Sequence, residues 1–319
     1  MTLTTPLTDL LDIRHPVLLA PMEKVSGGAL AAAVSNAGGL GLIGGGYGDA
    51  EWLEAEFARA GAARVGVGFI TWSLARQPAL LDLALAHRPT AVMLSFGDPN
   101  PFAGAIKNAG AKLICQVQSL AQARAAATAG ADVIVAQGAE AGGHAAARAT
   151  FSLVPAVADA TSAPVVAAGG IADGRGLAAA LVLGAAGALI GTRFFATGEA
   201  LGHANVKARL VTAGGDDTLA TSVFDRVRGR DWRAGYGGRA IANDFTRRWH
   251  GREDDLEAAM AAERPRFERA MADGDTDTGV VFAGEGLDLI HSVEPAAAVL
   301  GRLVSEAETS LSAPRVTAP

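Results

Sequence analysis

KLICQVQSLAQARAAATAGADVIVAQGAEAGGH, running from Lys112 to His144, reads as a strand, a helix, a second strand and a glycine-rich loop. The runs 112–118 and 133–137 are short and apolar, as buried strands are. Between them 120–129 has a helical pattern, and Ala129-Gly130 ends it, because glycine readily takes the left-handed conformation that closes a helix. Strands that alternate with helices pair in parallel through right-handed crossovers.

The same unit repeats on both sides. Strand candidates are 17–22, 40–44, 65–70, 91–96, 112–118, 133–137, 165–168 and 188–191. Helical patterns lie between them at 28–36, 51–60, 79–87, 102–108, 120–129, 153–160 and 175–183. Ala-Gly recurs before strands, at Ala37-Gly38 and Ala109-Gly110 as well. Eight strands are the count of a closed (β/α)8 TIM barrel. An open doubly wound sheet is the alternative, and it normally has fewer strands. After Phe195 the pattern changes to charge, Trp and Asp/Gly, with helical stretches at 206–212 and 254–272. The expected plan is a barrel over 1–197, a mainly helical cap over 198–285, inserted after the last strand, and a closing helix (295–307) with the tail over 286–319. The last residues, 310–319, are expected to fray.

Composition narrows the class. The chain has 319 residues, 50% hydrophobic and 19% charged, enough for one large domain with a core or for two small ones. Its net charge is -6, and its only basic cluster, Arg226 to Arg239, is broken by Gly, Asp and Trp. That is not the basic stripe of a nucleic-acid binder. Cys115 is the only cysteine, so no intrachain disulfide forms, which agrees with a reducing cytoplasm. No signal-peptide plan opens the chain. The longest uncharged stretch, Gly176 to Thr192, is interrupted by glycines and reads as helix, turn and strand rather than a membrane span. The expectation is a soluble cytoplasmic protein.

In a barrel of this kind the chemistry lies at the C-terminal ends of the strands. Strand one ends Ala20-Pro21-Met22, strand six Gln137-Gly138, strand seven Ala168-Gly169-Gly170 and strand eight Gly191-Thr192. In strand five, Leu113, Cys115 and Val117 share the face that suits the helix layer, while Ile114, Gln116 and Gln118 face the barrel. Two inward glutamines need polar partners: a heterocycle with ring nitrogens and carbonyls supplies them, and water or backbone is the plainer alternative. The glycine pairs after strands seven and eight occupy the frequent phosphate site of such barrels, although paired glycines also simply make tight turns. Gly142-Gly143 adds backbone donors. Of six histidines only His144 stands at a strand end facing the presumed pocket. It reads as a base that accepts a proton from a carbon acid, or as a structural histidine tying the loop to backbone. Trp232 and Tyr236 either line a substrate pocket from the cap or pack. Gly39-Leu-Gly-Leu-Ile-Gly44 matches GxGxxG but falls on a strand, which removes the dinucleotide reading. No zinc motif is present.

Five ordered motifs between about 14 and 200 carry a family resemblance: Ala20-Pro21-Met22, Ser35-Asn36-Ala37-Gly38-Gly39-Leu40-Gly41, Gln137 to His144, Ala167 to Gly174 and Gly191-Thr192-Arg193-Phe194. The chain resembles the nitronate monooxygenases, formerly called 2-nitropropane dioxygenases. The resemblance implies an FMN-dependent barrel. It places Ala20, Pro21 and Met22 against the isoalloxazine ring, Gln116 at its polar edge and Gln137 near the ribityl chain. Gly142, Gly143, Gly169, Gly170, Gly191 and Thr192 would hold the phosphate, with Ala141 in the same cofactor-binding loop. His144 matches the family's catalytic histidine. The implied substrates are an alkyl nitronate or nitroalkane and O2, and the products a carbonyl compound and nitrite. Two positions depart from the family: Gly68 stands where many members have Asn, and Gln116 where many have Lys. Flavin-dependent enoyl-acyl-carrier-protein reductases and NAD(P)H:quinone reductases share most of these motifs. A flavin-binding protein without turnover and a flavin-free barrel are the remaining alternatives.

Overall fold

The computed structural model describes residues 3–312. The strands are β1 (Val17–Leu19), β2 (Leu42–Gly46), β3 (Gly66–Ile70), β4 (Ala91–Ser95), β5 (Lys112–Val117), β6 (Val133–Gln137), β7 (Gly143–Ala145), β8 (Val165–Ala168), β9 (Gly187–Ile190), β10 (Thr218–Thr221) and β11 (Gly237–Ile241). Eight of them form a parallel sheet in the order β1-β9-β8-β6-β5-β4-β3-β2. The ring closes where Leu40 N–H donates to Val17 O (3.1 Å) and Leu19 N–H to Leu40 O (3.0 Å). This is the (β/α)8 barrel the alternation predicts.

Two apolar layers follow from the strand alternation. Ile114 packs inside the barrel with Leu18, Leu42, Met93, Val135 and Leu189. Leu113, Cys115 and Val117 pack outward in the larger core shared with the helices. The helix Pro6–Leu11, missed in the sequence, contributes Leu7 and Leu11 to the inner layer. The Ala-Gly signals end helices as expected: Gly38, Gly110 and Gly130 have φ of 106°, 80° and 80°.

Several boundaries differ, each for a local reason. Strand one is expected to run to Met22, yet β1 stops at Leu19. Pro21 has no N–H to donate, and Met22 N–H turns back to Ser26 Oγ (3.2 Å). β4 stops before Phe96, whose φ is 62°. β5 stops before Gln118, whose N–H donates to Gln122 Oε1 (2.7 Å). The helix expected at 153–160 begins at Thr150, because Glu140 accepts from Thr150 N–H (2.8 Å). The helix expected at 254–272 is two, Glu253–Ala258 and Met260–Asp273. The closing helix runs Ala296–Ser312, so the fraying expected from 310 does not begin there; residues 313–319 lie outside the described residues.

The region after the barrel is mainly helical, but it also holds a feature the sequence concealed. β10 and β11 form a hairpin, and β11 pairs with β7, so the strand order is β10-β11-β7. Gly238 sits opposite His144 in that pairing. Among the described residues no helix is long and apolar enough to cross a membrane.

Candidate active site

A cavity of about 570 Å³ lies at the C-terminal ends of the barrel strands, within the usual range for small-molecule sites. His144 and every residue expected to hold the cofactor line it. Ala20, Pro21 and Met22 come from the end of β1, Gln116 from β5, and Gln137 from β6. Ala141, Gly142, Gly143 and His144 come from the following loop and β7, Gly169 and Gly170 from the end of β8, and Gly191 and Thr192 from the end of β9.

Local geometry explains the small residues. Gly169 and Gly170 have φ of 108° and 72°, a backbone that side-chain-bearing residues rarely adopt, so their amides can lie in the cavity wall. A Cβ on Gly142 would fall 2.7 Å from Gly284 N. Gly284 N–H in turn donates to Thr192 Oγ1 (3.0 Å), tying the segment after the barrel to the glycine-rich end. Gly68 has a packing reason of its own: a Cβ there would lie 2.3 Å from Pro21 Cγ. The Pro21 ring occupies the space that a side chain at 68 would need.

The glutamines are tied to one another. Gln116 and Gln118 both donate from Nε2 to Gln137 Oε1, at 2.5 and 2.6 Å. Gln118 Oε1 also accepts from Ala146 N–H (3.1 Å). The expectation that a heterocycle would satisfy both glutamines is therefore corrected for Gln118, whose partners are protein. Gln116 shares the Gln137 partner but also lines the cavity.

His144 is buried, and its Nε2 lies 2.8 Å from Asp225 Oδ2, also buried. Asp225 lies on the helix Val223–Val227, after the barrel. The Trp232 indole stacks on the imidazole at 3.5 Å between centroids and 5° between planes. Phe282 and Phe96 close two further sides, at 5.7 and 6.4 Å. Trp232 Nε1 donates to the Tyr47 hydroxyl (2.7 Å). Trp232 thus lines the cavity, one of the two readings open for it. Tyr236 instead borders a smaller pocket of about 220 Å³ beside β5, where its hydroxyl accepts from Gln122 Nε2 (2.8 Å).

Sequence reasoning missed Asp225, Tyr47, Phe96 and Phe282. The one available signal for Asp225 was its place beside the basic cluster of the cap, and nothing local distinguishes it from a surface aspartate. The arrangement offers an imidazole oriented by a carboxylate, an apolar aromatic wall and a glycine-lined floor.

Known proteins share this fold. The family model for nitronate monooxygenase matches residues 4–66 and 70–306. Nitronate monooxygenase npaC of Metarhizium robertsii is 35% identical, over 93% of this chain and 92% of its own. A Mycobacterium tuberculosis relative, (3aS,4S,5R,7aS)-5-hydroxy-7a-methyl-1-oxo-octahydro-1H-indene-4-carboxyl-CoA dehydrogenase, is 32% identical over 98% of each. The structure of FabK from Thermotoga maritima superposes with a TM-score of 0.86 at 32% identity, covering 97% of both chains. Nitroalkane oxidase from Streptomyces ansochromogenes gives 0.79 at 29% identity, covering 95% of this chain and 98% of that one. The chain belongs to the nitronate monooxygenase family, a family of oxidoreductase enzymes.

Proposed function

We propose that the protein is an FMN-dependent nitronate monooxygenase that oxidises an alkyl nitronate or nitroalkane with O2 to a carbonyl compound and nitrite. The observation that carries this reading is the buried His144–Asp225 pair in the wall of a glycine-floored cavity. Asp225 accepts the Nε2 proton, so the lone pair stays on Nδ1, and an imidazole in that tautomer takes a proton from a carbon acid. Trp232, Phe96 and Phe282 exclude water around it.

The residues fit a flavin mononucleotide. A Cβ on Gly143 would enter open space at the cavity, and Gly169 and Gly170 hold there a left-handed backbone of the kind whose amides bind phosphate. Gly142, Gly143, Gly169, Gly170, Gly191 and Thr192 would hold its phosphate end, with Ala141 beside them. Gln137 would lie near the ribityl chain, and Ala20, Pro21, Met22 and Gln116 would meet the ring. When bound, FMN supplies the electron transfer that no side chain here can perform. We read 198–285 as the cap over the substrate, and the protein as cytoplasmic.

One observation favours a second reading, a flavin-dependent reductase or dehydrogenase of larger substrates. The M. tuberculosis relative carries a CoA thioester in its name, and it matches nearly the whole chain. An anaerobic flavin-reduction screen separates the two. Nitronates are expected to bleach the flavin. Bleaching by NADH, NADPH or an acyl thioester, with none by nitronates, would sink the monooxygenase reading.

A further inference from the structure

The basic cluster of the cap has a use that the base and the flavin floor leave open. Arg228 and Arg230 both line the cavity. They share a single carboxylate: Glu23 lies 2.9 Å from Arg228 and 3.8 Å from Arg230. Arg230 Nε is buried and has no hydrogen-bond partner among the described residues. The other nearby acids are otherwise placed, Asp225 on His144 and Asp231 in a separate pocket with Arg233.

Tyr47 packs against the arginines, and Trp232 links it to His144. The Arg230 guanidinium lies 3.9 Å from the Tyr47 ring centroid. Arg228 lies 5.7 Å from the same ring and 5.8 Å from that of Phe282, which itself borders His144. The Tyr47 hydroxyl accepts from Trp232 Nε1, so its own proton remains to be donated. Burial pushes the phenol up to about 12, even with Arg228 opposing, so it stays protonated at ordinary pH. A donor with a free proton and two cations sharing one carboxylate therefore line the same cavity as His144.

We propose that Arg228, Arg230 and the Tyr47 hydroxyl form an oxyanion subsite that receives the oxygen atoms of the deprotonated substrate. The identity of that substrate rests on the nitronate reading: the C–H bond breaks, its proton passes to His144, and the bonding pair spreads onto the two oxygens of the nitro group. Donors held where charge develops stabilise it more than mobile water does, and a guanidinium suits a planar, two-oxygen group.

Inorganic nitrate, a planar oxyanion, is the probe. It is titrated calorimetrically into flavin-loaded protein: wild type, Arg230→Ala and Tyr47→Phe. Saturable binding is expected in the wild type and about tenfold weaker binding in each variant, with flavin absorbance and melting temperature retained. If Arg230→Ala does not fold, Arg230→Gln, which keeps part of the packing over Tyr47, replaces it. A weakening of at least threefold in both variants supports the subsite. No binding to the wild type, or a smaller change in either variant, overturns it. Nitrate binding needs no turnover. A protein that binds nitrate through these residues but passes no electrons from nitronates keeps the subsite and loses the monooxygenase reading.

Discussion

His144 was legible as a candidate because it closes a glycine loop at the end of a strand, and chain position reports strand ends. Its partner was not, because Asp225 lies 81 residues away and only tertiary structure joins them. The aromatic wall was equally hidden: Phe96, Trp232 and Phe282 come from three separate segments. Two substitutions test this level. His144→Ala should lower kcat by about 10²–10⁴, the usual worth of a general base. Asp225→Asn should lower kcat by about tenfold or more with KM little changed, because it disturbs the tautomer and not the cavity wall. Steady-state kinetics on flavin-loaded protein reads both, and an Asp225→Asn enzyme with unchanged kcat would deny Asp225 its orienting role. Gly169→Ala tests the floor. With φ of 108° and a new Cβ 2.8 Å from Thr150 Oγ1, it should cost about 1–3 kcal/mol and weaken flavin retention, seen in thermal melts and flavin absorbance.

At the scale of elements, the barrel strands were readable because each is a short apolar run between helices. β7, β10 and β11 were not. β7 has only the residues Gly-His-Ala, and its strand character comes wholly from pairing with β11. No propensity announces such a strand. The start of the helix at Thr150 was hidden similarly, because its cap is Glu140, ten residues upstream, rather than a residue at the helix end. Arg239 on β11 fastens these pieces. It donates to Ala139 O (3.0 Å) and Thr218 Oγ1 (3.0 Å) and pairs with Glu285 (2.9 Å). Arg239→Ala should destabilise the protein by about 1–3 kcal/mol by leaving partly buried acceptors unpaired. Denaturant unfolding checks the loss, and an unchanged midpoint would show that the hairpin holds the loop without it.

At the scale of the molecule, the chain leaves the barrel at Phe195, runs through the mainly helical segment that follows and returns through Glu294 to the closing helix Ala296–Ser312. Glu294 accepts from Arg302 at 2.7 Å and Ser292 at 2.6 Å and pairs with the buried Arg193. The hydrogen bonds from Arg302 and Ser292 hold its carboxyl at about 2, below an ordinary 4.5. A depressed carboxyl adds stability that is complete above 4.5 and fades as pH falls toward 2. Glu294→Gln should therefore lower the melting temperature at pH 7, with a smaller difference from wild type at pH 3. An equal difference at both values would mean that the charge is not what matters.

The pairing of β7 with the cap has a consequence for biosynthesis. A chain leaves the ribosome from its N-terminus, so His144 emerges 81 residues before the carboxylate that orients it. All eight barrel strands can be present while Gly143–Ala145 has no partner strand and the imidazole no Asp225. An unfinished chain then has the glycine floor but no His144–Asp225 pair, and on the proposed mechanism its chemistry begins only after the last hairpin has been made and has folded back.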